Sequence, residues 1–332
     1  MKAAQAFGPH EIKIADLPIP DAQGQVLIRS KIVGICGTDV KVVEGALPVE
    51  YPRVLGHEMI GEVMEAPADS HVQPGDRVLV DPASSCGHCD LCMKGRQHLC
   101  RNAGLMGREV DGVFAEYVRV PSQQVLPVPA SISDKASGLL QVLGTCIHAQ
   151  KAVQVFPGQV VAVIGLGVAG QLMVQLLKAR GVTVVGITRS EWKRDLAAQY
   201  GATITASPDE AEAVLADLTD GCGPDLVVEA VGHEKTLIQA IELVSIGGKV
   251  LVFGTLTGGT EGLPYYQLYY KELSIYNPRA ALPADYALGI NLAAKDLLTL
   301  EPIVTHQLGL DETVKAFELV SDPSSLKVLM SV

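Results

Sequence analysis

The chain has 332 residues, more than a single hydrophobic core organises comfortably, so about two domains are expected. Hydrophobic residues make up 48% and charged residues 19%, a balance that buries a core and excludes a disordered chain. A formal net charge of -11 disfavours a nucleic-acid binder, and no apolar run approaches the ~20 residues that cross a bilayer.

In chain order, the first third reads as short β segments punctuated by turns. Residues 25–32 alternate, 61–65 are strand-like, Pro74-Gly75-Asp76 is a turn feeding the apolar run 78–80, and 113–120 alternate again up to Pro121. Many short strands separated by Gly and Pro suggest a β-barrel or sandwich. From about residue 150 the rhythm becomes strand, helix, strand. Strands are expected at 160–164, 183–187, 203–205, 226–231, 249–254 and 273–277, with helices at 168–180, 191–200, 208–218 and 234–244. This alternation is the signature of an α/β doubly wound parallel sheet. The tail, 284–332, holds a helix, a β segment near 303–306, a second helix and an apolar end; it breaks the alternation and is expected to rejoin the first domain.

Gly165-Leu166-Gly167-Val168-Ala169-Gly170 fits G-x-G-x-x-G between an expected strand and an expected helix. The first glycine allows the tight turn, the second lets the backbone approach a pyrophosphate, and the third permits close helix–strand packing. At the end of the next strand, where an Asp or Glu would take the adenosine ribose hydroxyls, the chain has Thr188-Arg189-Ser190, with Lys193 and Arg194 a turn later. A carboxylate would repel a 2′-phosphate and a guanidinium would neutralise it, which favours NADP over NAD.

Seven cysteines are present, four of them between residues 86 and 100. A secretory leader is not indicated, so the expected compartment is the cytoplasm, where clustered thiols indicate a metal more often than disulfides. Cys86, Cys89, Cys92 and Cys100 have the spacing C-x2-C-x2-C-x7-C and can close a tetrahedron around a structural zinc, with Lys94, Arg96 and Arg101 offsetting its charge. An iron–sulfur cluster would use the same thiolates, but the dinucleotide context needs no electron relay. A second, looser group is Cys36 in Gly-Ile-Cys-Gly-Thr-Asp and His57-Glu58 in Gly-His-Glu. Thiolate, imidazole and carboxylate make a three-ligand set that leaves one position open, as catalytic zinc requires.

Together these motifs resemble the medium-chain zinc-dependent alcohol dehydrogenase family, in particular its polyol and threonine dehydrogenase branches. The resemblance spans nearly the whole chain, ending in Leu326-Lys327-Val-Leu. It implies a GroES-like β-barrel catalytic domain over 1–145 and 285–332, carrying the zinc lobe 86–100, with a Rossmann domain inserted at 146–284. It also implies that Cys36 and His57 bind catalytic zinc, that Glu58 is a ligand or exchange partner, and that Thr38 passes the proton of the substrate hydroxyl. The expected cofactor contacts are Gly165, Gly167, Val168, Ala169, Gly170, Thr188, Arg189, Ser190, Lys193, Val231, Gly254 and Lys327. The implied reaction transfers hydride between a secondary alcohol or ketone and NADP or NAD, in a homodimer or homotetramer.

Two positions depart from the pattern. Where the polyol branch has Glu-Pro, this chain has Gln141-Val142, so Glu58 or the Gln141 amide oxygen completes the zinc shell. A relay histidine is replaced by Lys41. Lys41, Asn277 and Arg279 suggest a polar entrance and a polyol or sugar-acid substrate, with Tyr51 and Phe114 as further candidates. Competing readings are an aliphatic alcohol dehydrogenase, an NADPH-dependent carbonyl reductase and a catalytically silent relative. Cys146 and Cys222 remain as ordinary thiols.

Overall fold

Sheets dominate Met1–Thr145 and the returning segment Ala280–Val332, which together form one of two units in the computed structural model; Cys146–Arg279 form the other. The described residues are 1–259 and 261–332. The return to the first unit comes at Ala280, ahead of the expected residue 285, and Tyr286 is already 1% exposed in the core.

In the first unit the strand Val26–Gly34 is central. It pairs antiparallel with Glu58–Glu65, with the C-terminal strand Lys327–Ser331 and with Tyr117–Val120. One strand serves three partners because Tyr117–Val120 lies along Val26–Arg29 and the C-terminal strand along Ile32–Gly34, while Glu58–Glu65 takes the other edge; the register with Glu58–Glu65 slips between Leu27 and Ile28 and again between Ser30 and Ile32. Such bulges bend a sheet and re-aim its edge. Beyond Lys327–Ser331 the sheet continues to Val304–Gly309, and beyond Glu58–Glu65 to Arg77–Val80 and Val125–Pro127.

The enclosed core contains Ile28, Leu55, Val78, Val113, Phe114 and Val328, all fully buried. The strand expected over 113–120 is shorter, Tyr117–Val120, because Phe114 bonds instead to Leu55 O and Ala4 N–H, with its side chain in the core. Its ring lies where a side chain on Gly56 would be: a Cβ there would come within 2.1 Å of Phe114 Cδ1.

Asp81 follows the strand Arg77–Val80 and is 6% exposed. Burial pushes its carboxyl up to about 7, against the Ala83 N–H, which donates to Oδ1 at 3.0 Å.

In the second unit the strands β1 (Val160–Ile164), β2 (Thr183–Ile187), β3 (Ile204–Ala206), β4 (Leu226–Glu229), β5 (Lys249–Val252) and β6 (Ser274–Tyr276) form one sheet. All are parallel, in the order β3-β2-β1-β4-β5-β6. Val161, Ala162 and Val163 of β1 are fully buried. Burial on both faces is why parallel strands read as unbroken apolar runs. The order reverses between β1 and β4, and the carboxyl ends of those two strands frame the crevice where such sheets bind ligands.

One prediction concerns pH. Between about pH 4 and the raised Asp81 value the native chain keeps a proton that the unfolded chain has released, so stability falls as pH rises through that window. Asp81→Asn is expected to flatten the pH slope of the urea midpoint and to stabilise the protein on the alkaline side. A variant that keeps the wild-type slope would contradict this.

Candidate active site and metal centres

Past Gly34 the chain turns through Cys36, the N-cap of helix Gly37–Val43. Asp39, 2% exposed in the first turn, folds its carboxylate back so that Oδ2 accepts from Cys36 N–H at 2.8 Å. The other oxygen lies 3.2 Å from His57 Nδ1. With Nδ1 held by a carboxylate, Nε2 is the nitrogen presented to a metal. Burial works to lower the His57 pKa, but the Asp39 carboxylate and then Cys36 outweigh it and hold the imidazole well above its usual value.

Register places the third donor. Gly34 stands opposite Glu58, which brings the Glu58 carboxylate in beside Cys36 and His57. One ligand atom from each of Cys36, His57 and Glu58 lies within 4.8 Å of the others. This thiolate, imidazole and carboxylate set fits zinc with an open position. Thr38 sits half-buried in the first turn of the same helix.

Lys327, an expected dinucleotide contact, bonds to Glu58 of this cluster. It is 2% exposed, and its ammonium donates to the Glu58 carboxylate and, at 3.0 Å, to Ile35 O. Its strand adjoins the one bearing Gly34, so the ammonium is directed inward. A Cβ on Gly34 would lie 2.7 Å from both Glu58 Oε2 and Lys327 Cε, so a larger residue there would displace the ends of both side chains. Gln141, 7% exposed, donates from Nε2 to Tyr286 OH at 3.5 Å.

The four-cysteine lobe passes a geometric test. Zn–S bonds of about 2.3 Å in a tetrahedron require sulfurs about 3.8 Å apart. The observed separations are 3.6 Å for Cys89–Cys92, 3.9 Å for Cys89–Cys100 and 3.5 Å for Cys86–Cys100. N–H groups of Cys86 and Asn102 both point at Cys100 Sγ, at 3.3 Å. The backbone N–H groups of Arg101 and Cys92 lower the Cys89 thiol to about 6, whereas burial, reinforced by Cys89 and Cys100, raises Cys92 to about 11. Four thiolates therefore need a cation to coexist. Arg101 does not supply it from its side chain, which makes a two-point bond to Asp90 at 2.7 and 3.0 Å.

In the second unit, helix Val168–Lys178 opens at Gly167 without a side-chain cap. A Cβ on Gly170 would strike Gly165 O at 1.9 Å, while one on Gly167 would meet nothing within 4 Å. The loop is thus closed toward the sheet and open at the helix N-terminus, where a pyrophosphate would sit. Arg194 Nη1 donates to Thr188 O at 2.8 Å and Arg189 O at 3.1 Å, bracing the turn after β2. Lys193 lies over the Trp192 ring at 5.2 Å, and burial lowers its pKa. Arg189 is exposed. Val231 is 52% exposed just beyond β4 and contacts Gly165, and Gly254 packs against Gly232.

Other expectations resolve individually. Phe114 is fully buried and faces no cleft; Tyr51 donates to Val42 O at 3.4 Å. Cys146 is a buried thiol 3.9 Å from Ala169 O, and Cys222 is exposed. Asp39 is the functional residue that sequence reasoning did not assign a role. The signal available was its position three residues after Cys36, the spacing of a helix capping box.

Residues 22–130 match the model of the alcohol dehydrogenase GroES-like domain and residues 168–295 that of the zinc-binding dehydrogenases. The chain is 33% identical to the L-threonine 3-dehydrogenase of Pyrococcus abyssi, over 99% of this chain and 97% of that one. It is 28% identical to the sorbitol dehydrogenase of Halalkalibacterium halodurans, over 100% and 98%. Among solved structures, a putative zinc-binding dehydrogenase from Sinorhizobium meliloti bound to NADP superposes with a TM-score of 0.92 at 31% identity, covering 100% of this chain and 99% of that one. With this fold and two zinc-type donor clusters, the chain belongs to the zinc-dependent medium-chain alcohol dehydrogenase family. It is an oxidoreductase that acts on CH–OH groups with a nicotinamide dinucleotide.

Two predictions follow from the donor geometry. Cys92→Ser should cut the metal content from roughly two zinc ions per chain to one and lower the melting temperature; an unchanged melting temperature would argue against a bracing role. Asp39→Asn should weaken zinc binding at the Cys36–His57 site by about 10–100-fold in chelator competition. Unaltered affinity would reduce Asp39 to a helix cap.

Proposed function

We propose that the protein oxidises a secondary hydroxyl on a small polyhydroxy molecule, a sugar alcohol or sugar acid, with NADP as hydride acceptor, and reduces the matching ketone in reverse. The observation that carries this is the convergence of Cys36, His57 and Glu58 donor atoms within 4.8 Å, with one metal position left for the substrate oxygen. A zinc ion held there supplies Lewis-acid polarisation of that oxygen. Asp39 fixes the His57 tautomer, Lys327 holds the Glu58 carboxylate in place, and the Thr38 hydroxyl takes the substrate proton. Cys86, Cys89, Cys92 and Cys100 brace their loop around a second zinc.

The substrate class is supported by the threonine and sorbitol dehydrogenase relatives, whose substrates both carry a secondary hydroxyl beside further polar groups. NADP is supported by the missing acidic residue after β2, by exposed Arg189 in its place and by the NADP-bound relative. The oligomer is a homodimer or homotetramer, consistent with β6 at the sheet edge, where Ile275 is 42% exposed. The cytoplasm is the compartment that suits four unpaired thiols in one loop. No described helix is long and apolar enough to cross a membrane.

The test is steady-state kinetics on the zinc-loaded enzyme with NADP and NAD against polyols, sugar acids and linear alcohols. A kcat/KM ratio of about tenfold or more for NADP, with polyhydroxy substrates preferred, is expected. A ratio at or below one would overturn the cofactor assignment, and preference for long apolar alcohols would overturn the substrate class.

A further inference from the structure

Gln171 directly follows the last glycine of the dinucleotide loop and is fully buried in helix Val168–Lys178. Packing alone would favour an apolar side chain here. Instead the position holds an amide whose Oε1 is buried without a partner, an arrangement that costs free energy. Its gain is on the other side of the amide. Nε2 donates to Leu166 O at 3.3 Å and to Lys193 O at 2.9 Å.

Leu166 lies within the glycine loop, and Lys193 in the first turn of helix Glu191–Gln199. The next residue, Arg194, donates back to Thr188 O and Arg189 O. Hydrogen bonds at Lys193 and at its covalent neighbour Arg194 thus link the glycine loop to the segment that carries Arg189.

We propose that Gln171 is a positioning residue that fixes the spacing between the pyrophosphate loop and the Arg189 segment, and thereby sets preference for NADP over NAD. This rests on the assignment of Arg189 to the 2′-phosphate. In NADP one ribose sets the separation of the pyrophosphate and the 2′-phosphate, so protein groups that read both must be held at a matching separation. NAD presents nothing to the second group and is indifferent to that spacing. The isolated fragment 2′-AMP carries the 2′-phosphate without the pyrophosphate, and it too is indifferent.

The experiment measures dissociation constants of NADPH, NADH and 2′-AMP for the full-length, zinc-loaded protein. Trp192, the sole tryptophan and 36% exposed beside Lys193, serves as the fluorescence reporter. Gln171→Met keeps the volume and removes the donors; it should weaken NADPH about tenfold and leave NADH and 2′-AMP within about twofold. Gln171→Leu gives the same readout should the methionine variant not fold. Arg189→Ala should weaken NADPH and 2′-AMP together and spare NADH, and adding Gln171→Met to it should cost little more. Equal weakening of NADPH and NADH by Gln171→Met would make the residue a packing element, overturning the inference while the NADP assignment stands. If Arg189→Ala leaves NADPH and 2′-AMP binding unchanged, the NADP assignment fails and the inference falls with it.

Discussion

The contact between the Glu58 carboxylate and the Lys327 ammonium organises the catalytic unit. Both side chains are almost completely out of water, at 2% and 3% exposure, and neither charge would be tolerated there alone. One arrives on a strand from the first segment of the unit and the other on the last strand of the chain. A Cβ at Gly34 would push against the ends of both, and the pairing of Gly34 with Glu58 sets the register that brings His57 toward Cys36. Asp39 then locks the pair of ligands from the helix side. The metal site is therefore a consequence of strand register and one buried ion pair, with the helix cap as its final constraint.

Legibility differed between the two units for a physical reason. β1 and β2 were readable to the residue, because strands buried on both faces appear as apolar β-branched runs bounded by Gly and Pro. Helix starts were less sharp. The helix expected from 208 begins at Ala211, since the Glu210 carboxylate first accepts from Ser207 N–H and Oγ, at 3.0 and 2.6 Å, in a turn. In the β-rich unit, alternation over 113–120 could not reveal that Phe114 changes backbone partner to Leu55 and Ala4 and sets its ring against Gly56. The Lys327–Glu58 contact was not legible, because a lysine is ordinarily solvated and the two residues are 269 positions apart. The ligand types and spacings were legible; the contacts that orient them were not.

Positive charge is used sparingly. In a chain of net charge -11, the Arg101 side chain is neutralised by Asp90, Arg194 braces the turn after β2, and Lys193 is partly desolvated against Trp192. In the proposed function, recognition of the polyanionic dinucleotide falls to the open helix N-terminus at Gly167 and to exposed Arg189. A few oriented groups read the position of phosphates more sharply than a diffuse field, which mainly accelerates encounter.

The nesting of one unit inside another has a consequence for how the protein is made. Residues 146–279 leave the ribosome as an uninterrupted block and can assemble their parallel sheet during synthesis, whereas the surrounding unit lacks its strand Lys327–Ser331 until that block has been made. Glu58 therefore waits for its counter-charge across the 269 positions that separate it from Lys327. Completion of the pocket around Glu58 thus comes only after the inserted unit is able to fold. Loss of only the final half-dozen residues would leave the inserted unit whole while depriving the catalytic unit of Lys327.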